Sequence, residues 1–357
     1  MKRILLCLMA LLVLLSMAGC SAENNTIEET TSEPTEPETS EETVPETTEV
    51  IYDDPLYLKV SAINLSLVGD SEDIYLGLLP IEEVTFESDD ESIITFENGV
   101  VTATGVGTTT IRASYRDQVV EVTAGCLAQT QEELLKLDDE ILRAPRRMPP
   151  EIDLEEPTTL LDDVTIVGDS ISYFLFQWES KYDYMGNVQF LTRGGVSLRG
   201  FAGRYCWMPY KGRELDLEES FKQAGVQKAY IMLGQNDVGS TGEPMIWDNW
   251  TILVERILEA NPGIEIYFQS SIPRRATENK ENGINIRIHD YNLTLRQFAA
   301  DNNQKFIDVE YYIQDHLDKM STQYSQGDYH MNEKGCLTWM KILRFYTQYE
   351  KDGGILA

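Results

Sequence analysis

From Leu161 to the C-terminus, short apolar runs alternate with amphipathic stretches at helical spacing, and few folds accept that pattern. VTIVGDS, NVQFLTRGG, KAYIMLGQND, GIEIYFQSSIP and QKFIDVEYY read as buried strands. Between and after them, ISYFLFQWESKY, PMIWDNWTILVERILEAN, NIRIHDYNLTLRQFAADNN and EKGCLTWMKILRFYTQYEK read as helices. Strands that alternate with helices imply a parallel sheet with helices on both faces, a three-layer α/β/α arrangement. In such sheets the loops at the carboxyl ends of the strands form the site.

The 357 residues are too many to assume one domain, and the texture before Leu161 differs. From Tyr52 to Gly125 the runs YLKVSAI, DIYLGLL, EVTFES, IITFENGVVTAT, GTTTIRASY and QVVEVTAG alternate or are β-branched. Gly, Asp, Asn and Ser separate them, so residues 52–125 are expected to form a small all-β sandwich. Asn98-Gly99 marks a hairpin, because both residues tolerate positive φ. Residues 126–160 hold one short helical pattern (Leu134, Leu135, Leu137, Ile141, Leu142) and then prolines. They are expected to be a helix and a connector joining the sandwich to the domain at 161–357.

The N-terminus carries a targeting pattern. Lys2 and Arg3 precede an apolar run, Ile4 to Leu15, and Ala18-Gly19 leads into Cys20. This resembles a bacterial lipoprotein signal at 1–19, with Met17 where Leu is more usual; the resemblance implies that Cys20 is the lipidated first residue. Residues 20–51 contain ten glutamates and no Lys or Arg. Such a segment has nothing to bury and repels itself, so a disordered stalk is expected. The expected location is the extracellular face of the cell membrane, lipid-anchored. The net charge of −31 excludes a nucleic-acid partner, which needs a basic footprint. If Cys20 is lipidated, Cys126, Cys206 and Cys336 are left; Cys206–Cys336 is one possible pair, three buried thiols another. No CxxC or HExxH spacing suggests a metal.

Val-Gly-Asp-Ser occurs twice, at Val68–Ser71 and at Val167–Ser170. The first copy lies between two strands with no helix pattern after it, and reads as a turn. The second ends the first parallel strand and opens a helix, so Ser170 presents a hydroxyl at the sheet edge. A serine nucleophile needs a base. Of the three histidines, His289 falls in a helix pattern, on its surface, and His316 amid charged residues. His330 falls in the loop SQGDYHMNEKG before the last helix and is the best candidate. RGGVS after the second strand offers the Gly195 backbone N–H, with Gly194 as the alternative, and LGQND after the third offers the Asn236 amide. Both suit an oxyanion hole.

VGDS, RGGVS, LGQND and GDYHMN, in this order, resemble the SGNH (GDSL-type) hydrolases from about Val164 to the last helix. The resemblance implies an SGNH-like fold and a serine esterase needing no metal or organic cofactor. It implies Ser170 as nucleophile, Ser170 N–H, Gly195 and Asn236 as oxyanion hole, and His330 as base. One feature departs: the family's Asp three residues before the histidine is Gly327 here, and Asp328 stands two before. Asp328 is the candidate third member of a triad, with a Ser–His dyad as the alternative. Upstream, ESDDESIITFENGVVTATGVGTTTIRASY resembles a bacterial Ig-like domain of group 2.

The expected function is removal of acyl groups, acetyl above all, from cell-wall or environmental glycans or small esters. Trp178, Trp207, Trp250 and Tyr205 are candidates for a sugar cleft or for packing, and Arg274 and Arg275 for an anionic substrate or a solvated loop. An acyltransferase on the same site, or a non-catalytic glycan-binding lipoprotein, are the alternatives.

Overall fold

A computed structural model describes residues 51–239, 242–275 and 282–356. The expected signal peptide, Cys20 and the stalk up to Val50 lie outside them. Residues from Tyr52 onward form one compact unit.

Its larger part is the expected α/β/α sandwich. Five strands run parallel: β1 (Val164–Gly168), β2 (Gln189–Thr192), β3 (Lys228–Met232), β4 (Glu265–Gln269) and β5 (Lys305–Ile307). Their order in the sheet is β2-β1-β3-β4-β5. Side chains of a strand alternate between faces, and β3 shows the effect. Tyr230 and Met232 enter one core with helices Ser170–Tyr182 and Glu333–Lys351. Ala229 and Ile231 enter the other, with helices Glu243–Ala260 and Asn282–Asp301. Both faces of the sheet are therefore dry, which is why its strands read as continuous apolar runs.

Residues before 161 form two larger sheets and a two-stranded ribbon, Tyr57–Leu58 with Tyr75–Leu76. Ala62–Leu67, Gln118–Ala128, Gly107–Tyr115 and Thr85–Ser88 belong to one, and Ser71–Asp73, Val100–Ala103 and Ile94–Glu97 to the other. All pairs are antiparallel except the one between Ala62–Leu67 and Gln118–Ala128. The expected hairpin is present: Glu97 faces Val100, and Asn98 and Gly99 take φ of 49° and 80°.

Residues 126–160 do more than connect. Arg147–Met148 adds an edge strand to the larger β sheet. Arg143 pairs with the fully buried Asp315 at 3.0 Å, and Arg147 pairs with Glu72 while donating to the Tyr311 carbonyl. From the last helix, the Arg344 guanidinium donates to the carbonyls of Leu154 and Glu156. The sandwich itself docks on that helix. Tyr57 packs edge-on against Phe345 and Tyr349 and donates to Asp352, and Tyr312 donates to the Lys59 carbonyl. One apolar cluster runs from Leu58 and Ile63 through to Trp339 and Leu343. Sandwich and parallel sheet share a core and are not beads on a string.

The cysteines Cys126, Cys206 and Cys336 are free, so the Cys206–Cys336 pair is not formed. Cys126 and Cys336 are buried, whereas Cys206 is only half-buried. Among the described residues no helix is long and apolar enough to cross a membrane.

Candidate active site

The second VGDS ends β1, as its sequence suggests. Gly168 is pressed from the side: a Cβ there would stand 2.7 Å from the Met232 carbonyl oxygen and against Ser172 Oγ. Asp169 caps the following helix by accepting the Ile171 N–H at 2.9 Å. Ser170 is that helix's first residue and is half-buried. The His330 Nε2 stands 3.0 Å from its Oγ.

Helical spacing explains how the imidazole is held. Phe174 lies four residues after Ser170, on the same side of the helix. Its ring stacks on the His330 ring, 4.5 Å between centroids and 18° between planes. From the other side, His330–Met331 pairs antiparallel with Ser325–Gln326. The ring therefore has a hydroxyl at Nε2 and an aromatic face beneath it. Burial holds its pKa below the ordinary 6.5, so the imidazole is neutral and able to accept a proton at neutral pH.

The carboxylate expected to complete a triad is not seated there. Among the described residues no hydrogen bond joins the Asp328 carboxylate to the His330 ring. Asp328 instead gives its backbone carbonyl to the Arg275 N–H at 2.8 Å, tying the histidine loop to the loop after β4. Gly327 stands where the family has its Asp, and the chain turns there at φ 79°. Among the described residues, the His330 ring meets the Ser170 hydroxyl, the face of Phe174 and the edge of Tyr329. An aromatic pair contributes about 0.5–1.5 kcal/mol, enough to orient a ring but with no negative charge to offset an imidazolium.

The oxyanion candidates are brought to the same edge. Arg193 N–H donates to the Gly168 carbonyl and fixes the start of the glycine turn beside Ser170. A Cβ on Gly194 would lie 3.9 Å from the Ser170 Cβ, whereas one on Gly195, at φ 74°, would meet nothing within 4 Å. Gly194 is thus the glycine nearer to Ser170. Neither glycine N–H has a hydrogen-bond partner among the described residues, so both are open donors. Asn236 Nδ2 is held between Asp169 Oδ2 at 3.0 Å and the Val196 carbonyl at 2.8 Å. Asp237 accepts from the N–H groups of Leu198 and Arg199. These bonds stitch the loops after β1, β2 and β3 into one rigid edge. Asp169 is deeply buried, and that burial pushes its carboxyl up to about 7.

The other candidates separate. Trp250 is fully buried and gives its Nε1–H to Tyr291, so it is core and not cleft. Trp207 and Tyr205 are exposed, and Trp178 is half-buried under Lys181. His289 is on its helix surface, bonded to Glu310. His316 is buried against Ser66 at 3.0 Å, away from solvent despite its charged sequence neighbours. The aromatic support was missed in the sequence, although the spacing from Ser170 to Phe174 carried it.

Residues 166–336 match the GDSL-like Lipase/Acylhydrolase family. Over this stretch the chain is similar to the SGNH (GDSL-type) hydrolases. The chain is a serine ester hydrolase. Solved structures similar to the SGNH region include a GDSL-like lipase from Bacteroides thetaiotaomicron, 16% identical with a TM-score of 0.43, covering 54% of this chain and 91% of that one. Another is a carbohydrate esterase family 3 protein from Talaromyces cellulolyticus, 15% identical with a TM-score of 0.38, covering 53% and 98%. A third is a lipolytic G-D-S-L family member from Veillonella parvula, 18% identical with a TM-score of 0.37, covering 53% and 98%. The chain has no match among curated proteins.

Proposed function

We propose that Ser170 and His330 hydrolyse acyl esters of glycans outside the cell, through an acyl-enzyme. The observation that carries this is the 3.0 Å contact of His330 Nε2 with Ser170 Oγ beside two open glycine N–H groups. His330 takes the Ser170 proton as Oγ attacks the ester carbonyl. The oxyanion is held by the Ser170 N–H, by an N–H of the Gly194-Gly195 turn and by the Asn236 amide, which exchanges one of its bonds to Asp169 and Val196 for it, each such donor contributing a factor of about 10²–10³. His330 then protonates the departing sugar hydroxyl. Water, deprotonated by the same imidazole, attacks the acyl-enzyme and frees Ser170 and the carboxylic acid.

The glycan reading rests on the surface of the site. Gly194, Gly195 and Tyr329 are exposed at its rim, so a polymer can reach Ser170, and the exposed rings of Tyr205 and Trp207 suit stacking on sugar faces. The lipoprotein-like start with Cys20 and the glutamate-rich stalk support a tethered position on the outer membrane face. The acetyl group is the acyl group proposed.

The test uses the purified protein with 4-nitrophenyl acetate and a fluorophosphonate probe, comparing wild type with Ser170→Ala. Turnover and labelling that vanish only in Ser170→Ala are the expected result. Labelling that persists in Ser170→Ala would overturn the assignment. Release of acetate from acetylated glycan, but not of long acyl chains from lipid esters, is expected; the reverse would sink the substrate class.

A further inference from the structure

In a chain with 60 acidic and 29 basic residues, a cation has carboxylates to spare, and most arginines here use them. Arg112, Arg147, Arg193 and Arg296 are examples, each in a salt bridge. Several arginines, Arg213 and Arg275 included, make no ion pair among the described residues, and three of the others, Arg199, Arg274 and Arg287, lie on or beside the loops at the strand exits. Arg274 lies in the loop after β4, Arg199 in the short helix Leu198–Ala202 behind the glycine turn, and Arg287 in the helix Asn282–Asp301.

Arg274 is the most tightly built. Asn285 clamps its backbone from both sides, accepting the Arg274 N–H at 2.8 Å and donating to its carbonyl at 2.9 Å. Its guanidinium lies over the ring of Tyr329, 5.2 Å from the centroid. That ring in turn meets the His330 ring edge-on at 5.3 Å. A fixed cation therefore stands one aromatic ring away from the dyad. Arg287 reaches the loop after β3, its guanidinium 3.4 Å from where a Cβ of Gly239 would stand. Arg199 follows the glycine turn and acts on Asp237, next to Asn236.

We infer that these arginines recognise an anion on the substrate, so that the ester removed sits on an acidic glycan, next to a carboxylate or phosphate. This rests on the esterase reading above and narrows it. Carboxylate and phosphate match the planar guanidinium fork alike, and a local cationic rim is what an otherwise acidic protein needs to admit an anionic polymer.

The experiment compares kcat/KM on three acetylated polymers: polygalacturonate, poly(glycerol phosphate) and neutral xylan. Turnover of 4-nitrophenyl acetate by the wild type serves as the check on the chemistry itself. At low salt the wild type is expected to prefer at least one acidic polymer over xylan by about tenfold, the worth of one charge-assisted hydrogen bond. Which acidic polymer is preferred names the anion. Arg274→Gln combined with Arg287→Gln should collapse the preference toward unity, and about 1 M sodium chloride, with a screening length near 3 Å, should do the same. Arg213→Gln, whose guanidinium bonds Gln223 on an exposed surface, should leave the preference where it was. Equal rates on acidic and neutral polymers, or a preference that survives both arginine changes, would overturn the inference. A wild type that fails on 4-nitrophenyl acetate would overturn the esterase reading itself, and this one with it.

Discussion

The two VGDS segments share four residues and nothing else. In the first, Gly69 turns at φ 95°, and the Asp70 carboxylate folds back to accept the Leu67 N–H at 2.9 Å. Ser71 then begins a strand, facing Thr102 across the sheet, with its side chain exposed. In the second, Gly168 is still in the strand, and the Asp169 carboxyl reaches forward to cap a helix. The same aspartate thus closes a turn in one copy and opens a helix in the other. Only the helix places a residue four positions on, Phe174, under the histidine. The chemistry is set by the helix after the serine, not by the tripeptide.

The largest expected effect breaks this comparison most directly. Ser170→Ala should lower kcat on 4-nitrophenyl acetate by on the order of 10⁴-fold or more, since removing a nucleophile leaves only binding and the oxyanion donors. Ser71→Ala should change it by less than about twofold, being an exposed surface substitution. Comparable losses in the two variants would mean that the first copy had been misread.

The glycines sharpen the contrast. Gly69→Ala puts a side chain at φ 95° with open space around it, so it should cost about 1–2 kcal/mol in urea unfolding and leave kcat alone. Gly168→Ala meets the Met232 carbonyl oxygen and Ser172, an overpacked position that should cost about 2–3 kcal/mol. Because that push acts directly beneath Ser170, kcat should fall as well. A Gly168→Ala enzyme with full activity would show that the strand end tolerates movement.

Much of this was legible in the sequence for a simple reason. Strands buried on both faces and helices with one apolar stripe leave strong periodic traces, as in VTIVG and KAYIM. Site loops were legible because Gly, Asn and Ser are there for backbone reasons that also serve chemistry. Three things were not legible. Phe174 looked like any apolar residue of an amphipathic helix. Trp250 looked like a candidate cleft residue because burial cannot be read from identity alone. Arg143, Arg147 and Arg344 have partners, Asp315, Tyr311 and Leu154, that lie roughly 160 to 190 positions away. Long-range pairing leaves no local pattern.

A titratable group also lies where the larger part of the chain meets the sandwich, near the first VGDS. His316 is buried against Ser66, and burial pushes its imidazole down to about 4. Between about pH 6.5 and 4 the unfolded chain takes up a proton there that the folded chain refuses. Stability is full above that window and falls as pH drops through it, by up to about 3 kcal/mol. Urea midpoints at pH 7 and pH 4.5 should therefore differ more for wild type than for His316→Gln. Equal differences in the two proteins would show that His316 charges without penalty.

The smallest effect separates a dyad from a triad at the second copy. Where a carboxylate supports the catalytic histidine, removing it lowers kcat by about 10⁴-fold. Here the Asp328 carboxylate is not bonded to the ring, so Asp328→Asn should lower kcat by less than about tenfold. A carboxylate would also raise the imidazole pKa, whereas burial alone lowers that of His330 below 6.5. The base must be neutral to act, so activity should hold as pH falls to 6.5 and fail only below it. In Asp328→Asn that acid limb should not move. A loss of thousands-fold, together with an acid limb shifted downward, would put the carboxylate on the histidine during turnover and restore the triad. Without those two results, His330 works from its contact with Ser170 and the ring of Phe174.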